Sequence, residues 1–190
     1  IEEWFIDSCK KIKYMFPKAH ATAYVTSAFR IAWYKVHYPI LYYCAYMSIR
    51  CADFDVSAMV NGYNAIKNRI LDIEEKGSSA SNKESNVYDV MLIALEASAR
   101  GIKFAQIDIE KSDSKYFKIL DKDTLLLPFR CLDGLGDSVA QKIVIEREKR
   151  PFYSIEDLQK RGGVSKTLIE KMKELGVLDD MDESNQLSLF

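Results

Sequence analysis

The sequence has no closely spaced cysteines. Its four, Cys9, Cys44, Cys51 and Cys131, are scattered, which excludes a tight zinc site and offers no secreted disulfide framework. Reduced thiols in a cytosolic protein are the expectation. There is no long apolar run, since every apolar stretch is broken by charge well short of a membrane span, and no signal peptide is visible. Neither sign of charge is in excess: 27 Lys and Arg face 28 Asp and Glu, a net charge of −1. A dedicated nucleic-acid binder is usually more positive than that. No acidic triad suited to a metal stands out. Asp53 and Asp55 are close together but read as a helix cap and a solvent contact. The chain opens on Ile1-Glu2-Glu3-Trp4 without an initiator methionine, so it reads as a piece of something longer.

What is present is a globular composition, 48% hydrophobic over 190 residues, enough for one or two domains with a real core. Charge is unevenly placed. Residues 141–175 hold nine Lys and Arg against six Asp and Glu, a net of +3, whereas residues 176–190 hold four acids and no base. Apolar periodicity predicts a helix through Trp4, Phe5, Cys9 and Ile12, a break at Pro17, and helices over 21–36 and 40–50. A fourth helix is predicted from a cap in 53–57 to about Glu75. Thirteen of the 22 aromatic residues fall within 1–54. Small residues from Gly77 to Asn82 suggest a linker. A helix over 87–100 ends at Gly101, short strands are expected at 102–107, 116–120 and 124–127, and helix returns from residue 130. The expected fold is mainly α with a small β element. It divides into a helical segment 1–75, a linker 76–84, a domain 85–178 with tandem hairpins, and a flexible acidic tail 179–190.

The most informative feature is the turn Gly134-Leu135-Gly136, which opens a helix. Two glycines let the chain turn tightly and let a phosphate approach with no Cβ in the way. The helix N-terminal amides, through Asp137 and Ser138, then point at that phosphate. Leu135 packs inward, and Val139, Ala140, Ile143 and Val144 give the helix its apolar face. Lys142, Arg147, Lys149 and Arg150 are placed to add charge contacts. These features describe a helix-hairpin-helix over 132–148, built to grip duplex DNA by its backbone and not its bases. A fainter copy follows at 159–175, after a connector with helix-start chemistry at Ser154 and Asp157. With Val164 set at the second glycine position, this copy reads as degraded, mainly a packing partner, with Lys166 as a further basic contact.

The chain ends Gln186-Leu187-Ser188-Leu189-Phe190. Apolar residues at the tip of a polar tail suit binding in extended form. Gln186, Leu187, Leu189 and Phe190 match all four defining positions of the bacterial sliding-clamp peptide, Gln-Leu-x-Leu-Phe, which they resemble. Near the other end, Phe16-Pro17-Lys18-Ala19-His20-Ala21-Thr22-Ala23-Tyr24 and Lys35-Val36-His37-Tyr38-Pro39 look like the end of the fingers domain in bacterial C-family replicative polymerases. With the strand-rich segment, the hairpin pair and the terminal peptide in this order, the whole chain resembles the PolC type of DNA polymerase III alpha subunit.

That resemblance implies a bacterial, cytoplasmic parent enzyme that adds deoxynucleotides with Mg2+ held by palm aspartates and carries a 3'-5' exonuclease. This piece lacks those aspartates, needs no cofactor of its own and is expected to be inactive alone. Its implied partners are primer-template duplex, the beta sliding clamp and other replisome subunits, with no membrane. Lys18, His20 and Arg30 are candidates for nucleotide or template phosphates. Tyr34, Tyr38, Tyr42 and Tyr46 read as helix packing rather than a base-stacking stripe. A non-catalytic DNA-binding adaptor and a repair-enzyme fragment are the alternatives.

Overall fold

Pro17 and Pro39 punctuate the N-terminal third. Helix α1 spans Glu3–Lys11, and α2 spans Lys18–His37 with Pro17 as its extended N-cap. The computed structural model describes residues 1–12 and 17–184. Its contacts divide the chain into two compact units, Ile1–Tyr38 and Pro39–Phe190. The division falls at Tyr38, not at the linker expected around residues 76–84.

In the first unit neither helix has a buried residue. Apolar side chains lie all round α2, with Phe29 73% and Tyr24 67% exposed. Trp33 gathers Tyr34, His37 and Tyr38 at ring-centroid distances of 5.3, 4.6 and 5.6 Å. Tyr34 and Tyr38 are thus exposed and not core residues.

The second unit opens with α3 (Pro39–Arg50), where proline takes the first helical position. Tyr43 and Met47 are fully buried, while Tyr42 and Tyr46 stack on each other half-buried. The predicted fourth helix is two helices, α4 (Val56–Val60) and α5 (Tyr63–Lys76). Between them Gly62 adopts φ +81°, which no helix accommodates; Asn61-Gly62 is a helix stop in sequence terms. Asp55 caps α4 by accepting from the Ala58 amide at 3.0 Å and pairs with Arg69 Nε at 2.8 Å. Asp53 accepts from Asn86 Nδ2 at 2.8 Å.

The expected linker is a tight connection. A 3-10 turn at Gly77–Ser79 leads to α6 (Asn82–Ala99), which starts five residues before Val87. Ser81 and Glu84 form a capping box: the Glu84 amide donates to Ser81 Oγ, and the Ser81 amide to Glu84 Oε2. Helix α5 packs on α6, with Ile66, Ile70 and Ile73 of the one and Val87, Met91 and Ala94 of the other buried in the core. Lys76 first, then Ser81, pushes the Glu84 pKa down to about 2. Because the folded value lies below the ordinary 4.5, this support is present above that value and is lost as pH falls toward 2. The melting temperature is expected to drop across that window, and by less in Glu84→Gln. Ser81→Ala is expected to cost about 1 kcal/mol in urea unfolding.

Strands β1 (Lys103–Ala105), β2 (Lys118–Ile119) and β3 (Thr124–Leu126) make a three-stranded sheet ordered β1-β3-β2. β1 pairs parallel to β3, with Phe104 opposite Leu125, and β2 runs antiparallel to it. Arg130 ties the following 3-10 turn to the end of α3, donating to the Met47 and Cys51 carbonyls.

The chain then forms α7 (Asp137–Lys149), a one-turn α8 (Ile155–Asp157) that continues as a π turn to Gly162, and α9 (Lys166–Glu174). The segment after α9 is not free: the Ile155 and Glu156 amides donate to the Asp182 and Glu183 carbonyls at 2.8 and 3.1 Å. The tail expected from residue 179 is therefore docked through residue 183. The fold is mainly α with a small sheet and, among the described residues, no helix is long and apolar enough to cross a membrane.

Candidate nucleic-acid interface

Gly134 holds φ +89°, Leu135 is buried, and Gly136 is the extended N-cap of α7. The second turn repeats this: Gly163 holds φ +73°, Val164 is buried, and Ser165 is the extended N-cap of α9. Counted from the two left-handed glycines, 134–140 and 163–169 share one pattern: exposed, buried, three exposed, half-buried, buried. Val164 therefore corresponds to Leu135, and Ser165 to Gly136. The sequence register was offset by one because of Gly162, which is small for another reason: a Cβ there would lie 3.2 Å from both Ile143 and Leu158. In geometry the second hairpin is intact.

The copies face each other reciprocally. Leu168 of α9 lies under Gly134, and Lys142 of α7 reaches Gly163, with Nζ 3.2 Å from where a Cβ would be. Lys171, which occupies in α9 the place of Lys142 in α7, donates to the Asp133 carbonyl at 2.9 Å and its carboxylate at 3.0 Å. Asp133 and Gly162 are also equivalent, so one lysine meets an acid and the other meets a glycine. Lys83 and then Lys171 hold the Asp133 carboxyl below its ordinary pKa.

The third helical amide is held differently in the two turns. Gly136 has no side chain to cap α7, and the Val139 amide turns to the Gly136 carbonyl at 3.0 Å, leaving the Asp137 and Ser138 amides for an outside acceptor. Ser165 Oγ accepts from the Leu168 amide at 3.3 Å. Charge differs between the turns: Asp133 and Asp137 flank the first, Lys142 and Lys166 the second. Among the described residues, neither Lys142 nor Lys166 forms an ion pair, and both are exposed.

The other basic candidates divide. Lys149 is exposed and pairs with Glu146 at 2.6 Å. Arg150 pairs with buried Asp157 at 3.1 Å and lies over Tyr153. Arg147 is engaged by the protein itself: it donates to the Ile109 carbonyl at 2.9 Å, lies over Phe129, and has its pKa lowered by burial. It locks α7 to the loop after β1. Arg147→Gln is expected to lower the unfolding midpoint while leaving the salt dependence of duplex binding unchanged.

Sequence reasoning missed Arg161, an anchor with no motif to announce it. It donates to Asp157 Oδ2 at 2.9 Å and to the Pro151, Arg150 and Glu146 carbonyls, and lies over Phe152. It closes the end of α7 against the start of the second hairpin.

Lys18, His20 and Arg30 all lie on α2 and are exposed. At 3.6 residues per turn, Lys18 and His20 point about 160° apart around the helix, so α2 does not gather the three. The His20 ring lies 4.3 Å from that of Tyr24. Phe16 and residues 186–190 lie outside the described residues.

Two left-handed turns, each opening a helix and each covered by the other's helix, define a helix-hairpin-helix module. In agreement, the family profile for the helix-hairpin-helix motif matches residues 101–187. Over its whole length the chain is similar to PolC-type DNA polymerase III. It is 56% identical to that of Latilactobacillus sakei, 55% to that of Lacticaseibacillus paracasei and 51% to that of Streptococcus sanguinis, in each case over 100% of this chain and 13% of the relative. The chain belongs to the PolC-type DNA polymerase III family, as a segment spanning about 13% of the length of these relatives.

Proposed function

We propose that this segment holds the primer-template duplex of a DNA-directed DNA polymerase by its phosphate backbone, without sequence preference. The matched repeat of exposure and backbone conformation at 134–140 and 163–169 carries this reading. It gives two helix N-termini, presented by turns without obstructing side chains, on one rigid pair of hairpins. Gly134, Gly136, Asp137 and Ser138 form one grip, and Gly163, Ser165 and Lys166, with Lys142 reaching across, form the other. Lys149 and Arg150 supply peripheral charge. Both hairpins work in this reading, the second supplying more positive charge. Fluorescence anisotropy of the chain with a labelled duplex tests it: affinity falls linearly with salt on logarithmic axes. Replacing Lys142 or Lys166 with glutamine reduces the slope by about 0.9 each, and an unchanged slope refutes that assignment.

Polymerisation and proofreading belong in this proposal to the remainder of the parent protein, with Mg2+ on its aspartates, and the segment alone is inactive. Lys18, His20 and Arg30 serve the nucleotide or template in that context. Residues 186–190 bind the beta sliding clamp, where Gln186, Leu187, Leu189 and Phe190 fill a cleft in extended form. A modest clamp contact and a modest DNA contact on one chain reinforce each other through effective concentration. Deleting 186–190 is expected to remove clamp binding in a titration and leave duplex affinity unchanged. Clamp affinity that survives the deletion excludes this role.

A further inference from the structure

Arg69, Lys83 and Lys171 are far apart in the sequence and carry no shared motif, yet they line one cavity of about 260 Å3 beside the first hairpin. They come from α5, α6 and α9. The cavity also holds two carboxylates. Asp55 is fully engaged, one oxygen capping α4 and the other on Arg69. Asp133 is shared: Lys83 meets one oxygen and Lys171 the other, so two ammonium groups rest on one carboxylate. Three cations thus face two acids, and one positive charge remains. Of the five donors on the Arg69 guanidinium, only Nε is bonded to Asp55 among the described contacts.

Position gives this charge its meaning. Asp133 immediately precedes Gly134, and Lys171 also holds the Asp133 main-chain carbonyl. The cluster is therefore fixed to the first turn itself. The Asp133 carboxylate marks where anionic oxygens sit between the two lysines.

We propose that this cavity is a further phosphate site, which takes a phosphodiester of the same duplex next to the one at Gly134 and Gly136. Lys83 and Lys171 share their contact between Asp133 and the phosphate, and Arg69 closes the far side with its terminal N–H groups. The duplex path therefore extends from the hairpins onto α5 and α6. This inference rests on the duplex-holding reading above. The ions are partly exposed, with Lys83 at 53% and Lys171 at 37%, so charge-removing substitutions leave the core alone.

The test is a salt titration of duplex affinity for the chain and for Lys83→Gln, Lys171→Gln and Lys83→Arg, with thermal melts alongside. Each glutamine variant is expected to lower the log–log slope by about 0.9, equally on unrelated duplexes, and Lys83→Arg to retain it. If the glutamine variants melt earlier but keep the slope, the cluster is only a structural clasp and the site is overturned. A second arm titrates inorganic phosphate against labelled chain by NMR. Shifts at Lys83 and Lys171 that saturate while the duplex slope stays intact would make this a free-anion site, and would equally overturn the duplex assignment. Failure of the unmodified chain to bind duplex at all would instead remove the underlying reading.

Discussion

Gly136→Leu is expected to weaken duplex binding about ten- to hundredfold, the loss of a hydrogen bond to a charged group worth about 1.5–3 kcal/mol, with almost no change in stability. Gly136 sits at φ −70°, ψ 151°, which any residue adopts. A Cβ there meets nothing within 4 Å, and the fold already carries a serine at the equivalent Ser165. Nothing inside the protein requires glycine at 136, so a side chain there harms only an approaching ligand. Gly134 is different, because at φ +89° any side chain is strained by roughly 1–2 kcal/mol. Its substitution therefore confounds folding with binding. Gly136→Ser is the matched control: it adds a helix cap like that of Ser165 and a smaller obstruction, so its melting temperature rises or holds and its binding loss is smaller. Anisotropy and thermal melts on the three proteins check this. Equal binding by Gly136→Leu and the parent would show that no phosphate approaches the first turn.

Arg161→Ala is expected to have the largest effect on stability, a loss of about 3 kcal/mol or more, as when one member of a buried charge pair is removed. The Arg161 side chain is 15% exposed and the Asp157 side chain 4%. Without Arg161, Asp157 keeps Arg150 and the Tyr153 amide, but three carbonyls around the end of α7 lose a charged donor. The two hairpins then lose their fixed relation. Duplex affinity falls with stability, and both recover in Arg161→Lys only in part, since an ammonium lacks the planar fork. Urea unfolding followed by circular dichroism measures the loss, and a shift under 1 kcal/mol would contradict the anchoring role.

Legibility followed how local the cause was. Gly134-Leu135-Gly136 was readable because a turn, its buried residue and its helix are consecutive. The stop at Gly101 and the proline at the start of α3 were readable for the same reason. The second hairpin was misaligned by one residue because two glycines stand together, and only backbone conformation shows that Gly163 makes the turn while Gly162 makes room for Ile143 and Leu158. The break at Gly62 was missed because apolar spacing continues across it. Arg147 shows the other limit. Its place among basic residues suggested a phosphate contact, but the Ile109 carbonyl comes from a loop 38 positions away. Arg161, Arg130 and the cluster of Arg69, Lys83 and Lys171 depend on long-range packing that no spacing rule reveals.

In the proposed role, two equivalent hairpins grip duplex DNA by its backbone. Salt titrations of affinity on several duplexes of unrelated sequence test it most directly. Steep, parallel lines that nearly coincide are expected, shifted to weaker affinity when Gly136 in the first hairpin is replaced and lowered in slope by about 0.9 when Lys166 in the second is replaced. Affinities that separate by sequence, or binding that ignores one hairpin entirely, would contradict it.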